Sequence, residues 1–149
     1  MKKNVKLYNV LFPVWFLMTL PTLLWWIVIP GNFLVDSLVL FLAMKVLKIE
    51  ARWEFYRRHI VPVFLLGFLA DILASIPMWA GVFLELGGPL ADSPVLTVPG
   101  VILAGVLIYV FDYFVSFRKL DQPLRKKLAL TFAIATAPYT YLIPSQWIY

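Results

Sequence analysis

Five apolar segments, separated by short connectors, follow one another along the 149-residue sequence. A helix needs about 20 apolar residues to cross the hydrocarbon of a bilayer, because each residue advances it by only ~1.5 Å. We therefore expect an all-α, polytopic membrane protein: one domain, residues 1–149, built as a bundle of five transmembrane helices with short loops. The predicted spans are residues 7–29, 33–49, 60–86, 95–117 and 128–149.

The second span is the shortest of the five. The tripeptide Pro30-Gly31-Asn32, which is typical of a turn, separates it from the first span. The reach of the second span improves if Lys45 extends its ammonium group to the interface and the helix continues through Ile49. The alternative is a re-entrant segment that enters and leaves on the same side.

The basic residues favour five full spans over the re-entrant alternative. Lys and Arg collect in the cytoplasmic loops of membrane proteins. All thirteen of them fall before the first span, around the connector after the second, or in the connector after the fourth. Five spans place all thirteen on the cytoplasmic side, with the N-terminus inside and the C-terminus outside. The three groups are Lys2, Lys3 and Lys6; Lys45, Lys48, Arg52, Arg57 and Arg58; and Arg118, Lys119, Arg125, Lys126 and Lys127.

The composition excludes a water-soluble domain. Hydrophobic residues make up 62% of the chain and charged residues 14%, whereas soluble domains have about 25% charged residues. The absence of cysteine excludes a disulfide scaffold. The net charge of +5 follows from the topology, and it favours contact with anionic lipids at the cytoplasmic face rather than with nucleic acid.

The first segment begins like a signal peptide, but we expect it to stay as an anchor. Its apolar run of 23 residues, 7–29, is longer than the roughly 7–15 residues of a signal peptide, and no small-residue cleavage site follows it. The compact architecture favours a multi-pass protein of a prokaryotic plasma (inner) membrane.

A proline lies two residues after a serine or threonine at four places in the predicted spans. Proline removes one helical hydrogen bond, and in lipid a nearby hydroxyl can satisfy the carbonyl that is freed. We expect helix kinks at Pro21, Pro77 and Pro138, which either shape the bundle or form a hinge. The four motifs are Thr19-Leu20-Pro21, Ser75-Ile76-Pro77, Thr97-Val98-Pro99 and Thr136-Ala137-Pro138.

Asp71 is the most informative polar residue, because it lies near the middle of the third span. An ionised carboxylate facing lipid costs about 3 kcal/mol, so we expect Asp71 to face the bundle interior. It either makes a structural hydrogen bond or binds a proton, a cation or a polar substrate. Hydroxyl groups at a similar depth belong to Thr19, Thr22, Tyr109, Thr136, Tyr139 and Thr140.

Two other acidic residues lie within the predicted spans, apart from Glu85 at the outer border of the third. Asp36 is expected in the first turn of the second helix, where the helix dipole and water both favour its charge. Asp112 lies five residues before the inner end of the fourth span, at a depth similar to that of Lys45. We expect a structural Lys45–Asp112 ion pair, which would spare both groups an unpaired burial. The alternative is a role for Asp112 in a permeation path.

Small and polar residues recur at helical spacing in the last three spans, and we expect them to line one polar seam. The stripes are Gly67, Asp71 and Ser75; Gly105, Tyr109, Asp112 and Ser116; and Thr136, Tyr139 and Thr140. The candidate site for an ion, a proton or a polar ligand consists of Asp71, Ser75, Tyr109, Asp112, Thr136 and Tyr139.

The sequence contains no motif of a known catalytic type. It lacks a glycine-rich phosphate loop, HExxH and GxSxG, and its single histidine, His59, has no neighbours at metal-ligand spacing. We therefore predict no catalytic residue, no metal site and no cofactor. The connector before the third span pairs Glu54 with Arg58 at i+4, which favours a helical extension at the headgroups.

Two classes of function fit these features. The first is an interaction or scaffold subunit, working as a homo-oligomer or with a larger membrane-protein partner. The alternative is a small proton- or cation-coupled transporter or channel that uses Asp71. An enzyme is less favoured, because no nucleophile has a base beside it. A midplane cavity lined by Asp71, Tyr109 and Thr136 would favour transport, whereas a dry contact with one hydroxyl would favour a scaffold.

Overall fold

The computed structural model describes residues 23–84 and 93–143. This part of the chain is helical, with a π-helix that continues one α-helix and a 3-10 helix that follows another. The elements in chain order are α1, Trp25–Val46; α2, Arg52–Phe83; α3, Pro94–Phe111; the π-helix, Asp112–Ser116; α4, Gln122–Ala135; and the 3-10 helix, Tyr139–Leu142.

Three of these helices are long and apolar enough to cross a membrane: α1, α2, and α3 together with its π-helix. They confirm the expectation of a helical membrane protein. The count of five helices is not supported, because the described ranges contain four α-helices. One of them, α4, has 14 residues and is about 21 Å long, which is too short to span the hydrocarbon alone.

The turn expected at Pro30–Asn32 is wrong. Helix α1 continues through these residues to Val46, with Pro30 inside it. Proline removes one backbone hydrogen bond, but a turn within an apolar run would leave several backbone groups unpaired in lipid, so the continuous helix is favoured. Asp36 therefore lies in the middle of a helix rather than in its first turn. Most of the predicted first span, including Pro21, lies outside the described residues.

Aromatic pairs set the register between α1 and α2. Residue numbers fall along α1 as they rise along α2, so the two helices are antiparallel. The rings of Phe41 and Tyr56 stack with centroids 4.6 Å apart. Farther along, edge contacts join Phe33 to Phe64 at 5.5 Å and Trp25 to Phe68 at 5.4 Å.

Glycines let α3 approach both of its neighbours closely. A Cβ atom at Gly100 would lie 3.0 Å from Cε of Met78 in α2. A Cβ atom at Gly105 would lie 3.2 Å from the main-chain oxygen of Ala133 in α4. Small residues allow such close packing between helices in membranes. These small residues of α3 therefore serve packing within the chain.

The described basic residues lie at one end of the bundle, which we call the basic end. Successive helices are antiparallel, so residues 47–51 and 117–121 connect them at the same end. Five Lys and Arg residues lie in or beside each of these connectors: Lys45, Lys48, Arg52, Arg57 and Arg58; and Arg118, Lys119, Arg125, Lys126 and Lys127. The segment from residue 52 to 59 is helical, as expected, and joins α2 without a break.

The uninterrupted fifth span expected over residues 128–149 is also wrong. Helix α4 begins at Gln122 and ends at Ala135. Pro138 stops it, because proline has no N–H group and disfavours helical geometry in the residue before it. The Tyr139 hydroxyl donates to the carbonyl of Ile134 that Pro138 frees. Pro138 thus ends the helix instead of kinking it, and residues 144–149 lie outside the described part.

Pro77 is accommodated differently. Helix α2 continues through Pro77 to Phe83. The buried Ser75 hydroxyl donates to the carbonyl of Ile72 at 2.7 Å. This is the carbonyl next to that of Leu73, whose partner Pro77 removes, so the hydroxyl does not replace the lost bond. The kink expected at Pro77 stays a prediction.

The end of α1 is a reversal that depends on the main-chain conformation of Lys48. Its φ of 55° lies in the left-handed region, where a side chain is disfavoured by about 1 kcal/mol. The N–H of Ile49 donates to the carbonyl of Met44 at 3.0 Å, and that of Lys48 to Lys45 at 3.4 Å. This pattern is a Schellman motif, in which glycine usually occupies the left-handed position. It ends the helix at Val46, three residues before the expected end.

We expect Lys48→Gly to increase the free energy of unfolding by about 0.5–1 kcal/mol, because glycine adopts this conformation without a Cβ penalty. The measurement is a denaturant titration in mild detergent, followed by helical circular dichroism. Lys48→Ala is the control, since it removes the same ammonium group but keeps the Cβ atom. Equal stabilisation by both variants would assign the effect to charge and contradict the prediction.

Candidate functional site

Each of the three candidate spanning helices carries one aspartate inside the bundle. Asp36 in α1 is 7% exposed, and Asp112, where α3 passes into the π-helix, is 1% exposed. Asp71 in α2 is partly buried, but its Oδ1 atom is fully buried. Burying three acidic side chains among apolar helices is costly unless each is paired or protonated, so their surroundings indicate what they do.

A small cavity joins Asp36 to Asp71. Its volume is about 30 Å³, and its polar wall consists of these two aspartates together with Asn32 and Thr136. Gly67, beside Asp71 on α2, also lines the cavity. A space of about 10–15 Å³ suffices for one water molecule in a polar site, so this cavity has room for one or two.

The carboxyl group of Asp71 has an atom without a partner. Within residues 23–84 and 93–143, no hydrogen bond reaches the buried Oδ1. The Tyr141 hydroxyl approaches this residue, but it donates to the main-chain oxygen of Asp71 at 3.0 Å. Thr136, which lines the same cavity, donates to the carbonyl of Phe132 at 2.9 Å. The two predicted partners Thr19 and Thr22 lie outside the described residues.

Asp112 is held by a wider helical turn. The N–H of Phe117 donates to the carbonyl of Asp112 at 2.9 Å, which closes the π-helix. One turn later, the Ser116 hydroxyl donates to Oδ1 of Asp112 at 2.7 Å. The other oxygen, Oδ2, is buried and has no partner in the described part of the chain. Single π-helical turns within α-helices occur frequently at functional sites.

The predicted Lys45–Asp112 ion pair is not formed. Lys45 is exposed in the last turn of α1, whereas Asp112 is buried and bonded to Ser116. Because α1 ends at the basic end, the ammonium group of Lys45 can extend into water. This costs less free energy than burying it beside Asp112. Among the described residues, the ion pair present is the exposed one between Arg58 and Glu54, at 2.8 Å.

Asp36 and Asp71 line the same small cavity. Like charges repel strongly where water is excluded, so these two carboxyl groups cannot both be ionised without a large cost.

The remaining candidate residues lie away from the cavity. Ser75 is fully engaged with the main chain of α2. Tyr109 stacks on Tyr113, with ring centroids 5.8 Å apart, and the Arg125 guanidinium lies 3.8 Å from the centre of the Tyr113 ring. Tyr139 is 51% exposed. Of the six predicted site residues, the structure thus brings Asp71 and Thr136 together at the cavity, whereas Asp112 is not part of the cavity wall.

His59 is a packing residue in this structure. It is 5% exposed, and its ring lies between those of Phe55 and Phe117, with centroids 4.1 and 5.5 Å away. Its Nδ1 is 2.8 Å from the carbonyl oxygen of Phe55. Over the described ranges, no three His, Asp or Glu side chains are placed to hold a metal ion.

Asp36 and Asn32 are the site residues that the sequence prediction lacks. The turn predicted at Pro30-Gly31-Asn32 places Asn32 in a loop and Asp36 in a water-exposed first turn. The signal that identifies them is the apolar run on both sides of the tripeptide, which is long enough to make residues 25–46 one helix.

Comparisons with family models, curated proteins and solved structures returned no match. The function is therefore inferred from the geometry of the site.

Proposed function

We propose that this protein is a small proton-coupled transporter or proton channel, in which Asp71 binds the proton. One observation carries the proposal: the Oδ1 atom of Asp71 is buried without a partner in the described part of the chain, beside a cavity that holds a second aspartate and has room for water. A purely structural aspartate would use its carboxyl oxygens in hydrogen bonds, as buried polar groups do. Asp71 instead keeps an oxygen available next to water-sized space.

A proton fits this site for a simple energetic reason. Protonation removes the charge of a buried carboxylate and so removes most of the cost of its burial, and no other ligand is required. Asp36 lines the same cavity, and two carboxylates that share a site repel each other when both are charged. A monovalent cation bound between the same two carboxylates is the competing occupant, and a measurement of cation flux separates it from a proton.

The basic end is proposed to face the cytoplasm of a prokaryotic cell. Lys and Arg accumulate on that side, and there they attract anionic lipid headgroups. The beginning of α1 and the 3-10 helix then lie toward the outer face. In this orientation the cavity lies between the start of α1 and the basic end.

The test is proton flux into liposomes that contain the purified full-length protein, followed with an entrapped pH-sensitive dye under an imposed potassium diffusion potential. We expect wild-type protein to conduct protons and Asp71→Asn to reduce the flux to that of protein-free liposomes. Asparagine keeps the size of the side chain but cannot exchange a proton. Asp121→Asn is the matched control, because Asp121 is exposed and asparagine caps a helix equally well.

Three outcomes would overturn the proposal. The first is absence of flux through the wild type, and the second is flux through Asp71→Asn that equals the wild type. The third is a flux of sodium or potassium, measured with a cation-sensitive dye, that exceeds proton flux and depends on Asp71. Circular dichroism and gel filtration of each variant establish that it is folded before its flux is compared.

An interaction subunit is the second candidate function. Helix α1 presents an apolar face that no described residue covers, on which Leu34, Leu38 and Leu42 are 68%, 59% and 53% exposed. This spacing of four residues forms one stripe along the helix, which suits lipid or a helix of another chain, in a homo-oligomer or with a larger partner. In a scaffold, Asp71→Asn should leave assembly intact, and no proton flux should depend on Asp71.

A further inference from the structure

Asn32 precedes Asp36 by one helical turn on α1, so the two side chains lie on the same face of that helix. Both line the cavity, and Asp71 and Thr136 complete the polar wall that the structure describes. Asn32 is partly buried, and no hydrogen bond joins its carboxamide to another described residue. The polar atoms of this carboxamide are therefore available to water or to a carboxyl group inside the cavity.

The other polar side chains of this wall can only accept hydrogen bonds once the aspartates are ionised. A carboxylate has no donor. Thr136 has a single hydroxyl proton, which it donates to the carbonyl of Phe132 at 2.9 Å, so its oxygen can only accept from the cavity. A carboxamide, in contrast, has two N–H groups. Among the side chains that line the cavity in the described part of the chain, Asn32 is therefore the donor that an ionised carboxylate can use.

We propose that Asn32 is the hydrogen-bond donor of the proton site, which stabilises the carboxylate that remains when Asp71 or Asp36 releases its proton. This inference rests on the proposed proton function. The amide donates to the carboxylate directly or through one water molecule, because the cavity has room for one or two. A hydrogen bond to a charged group is stronger than one between neutral groups, and it favours the charged form.

Asn32 is a positioning residue in this proposal, because it takes no proton itself. The proton passes from the carboxyl group to water in the cavity, which leaves a carboxylate and a protonated water molecule. The amide keeps both of its hydrogens throughout. Its contribution is to lower the free energy of the carboxylate, so that the proton can leave as well as bind.

The groups that face the two carboxyl groups come from several elements. Helix α1 supplies Asn32 and Asp36, α2 supplies Asp71, and Thr136 follows the end of α4. The Tyr141 hydroxyl, from the 3-10 helix, donates to the main-chain oxygen of Asp71 and not to its carboxyl group. Neither α3 nor its π-helix supplies a residue to the wall, and no Lys or Arg of the described ranges lines it. The neutral amide of Asn32 thus has no cation beside it that could take over its role.

The experiment compares Asn32→Leu, Asn32→Gln and Asp71→Asn in the same liposome assay, over a range of pH. Leucine has nearly the shape of asparagine but no donor. We expect proton flux through Asn32→Leu to fall at least tenfold at neutral pH, and its pH dependence to move upward by about one unit. The reason is that a proton held more tightly is released only into a more alkaline solution. Asn32→Gln keeps a carboxamide and should recover most of the flux.

Gln122→Leu is the matched control, because it removes a carboxamide from an exposed side chain at the basic end. Its flux and its pH dependence should equal those of the wild type. Circular dichroism establishes that each variant is folded. Asn32→Ala, which also lacks a donor, is measured in place of the leucine variant if that variant does not fold.

Each failure has a distinct signature. If Asn32→Leu keeps the flux and pH dependence of the wild type while Asp71→Asn does not conduct, Asn32 is not the donor and the proposed function stands. If neither variant changes the flux, the proposed function itself is wrong. A loss in Asn32→Leu that is equal at every pH would mean that leucine blocks the cavity, and this would overturn the donor role. The same conclusion would follow if Asn32→Gln conducted no better than Asn32→Leu.

Discussion

A Gly67→Leu substitution is expected to reduce proton flux at least tenfold without removing any carboxyl group. Gly67 lines the cavity beside Asp71, and a Cβ atom added there would meet no other atom within 4 Å. The first atom of a new side chain therefore fits, whereas the three further carbons of leucine occupy space that holds only one or two water molecules. Without water, Asp36 and Asp71 lose their connection for proton exchange.

Gly31→Leu is the matched control for this prediction. A Cβ atom added at Gly31 would also meet no other atom within 4 Å, but Gly31 is not part of the cavity wall. The same change in side chain should therefore leave flux through Gly31→Leu within twofold of the wild type. Gly67→Ala should have an intermediate effect. Equal flux through Gly67→Leu and Gly31→Leu would mean that the cavity plays no part in conduction.

The apolar pattern predicts most of the helical structure, because helices in lipid must satisfy all their backbone groups internally. The predicted third and fourth spans, 60–86 and 95–117, correspond to the apolar parts of α2 and of α3 with its π-helix. The π-helix itself leaves no mark in the sequence. It contains the buried Ser116–Asp112 hydrogen bond, a contact that only the folded chain reveals.

Local turn signals mislead where the apolar run continues on both sides. Pro30-Gly31-Asn32 forms a turn in water, where exposed backbone groups bond to solvent. Inside α1 the same residues are helical, since no solvent is present to replace the helical bonds. Because of this error in the helix boundary, the sequence prediction placed Asp36 in a water-exposed first turn instead of in the bundle interior. At the other end of the chain, Pro138 does stop a helix, and Tyr139 satisfies the carbonyl that it frees.

Asp71 could be predicted as a site residue, whereas its surroundings could not. Burying a carboxylate in the middle of an apolar helix costs free energy whichever way the helix is rotated. The sequence alone therefore identifies Asp71. Which groups lie around it depends on helix rotation and register. These place Asp36 and Thr136 at the cavity and keep Tyr109 on Tyr113. The Lys45–Asp112 pair failed for the same reason, since similar depth does not imply a shared face.

Phe132→Ala is expected to lower the free energy of unfolding by about 3 kcal/mol. Phe132 is 0% exposed, and its ring centroid lies 6.0 Å from that of Phe117, where α4 packs against the end of the π-helix. Lipid cannot enter the void that alanine leaves, so the dispersion contacts of the ring are lost without replacement.

Phe114→Ala provides the comparison, because it deletes the same atoms from a side chain that is 62% exposed. Lipid or detergent tails can refill that surface, so the expected change is less than about 1 kcal/mol. Both variants are compared with the wild type by titration with sodium dodecyl sulfate in mild detergent, following helical circular dichroism. Similar losses in the two variants would contradict the packing of α4 against the π-helix.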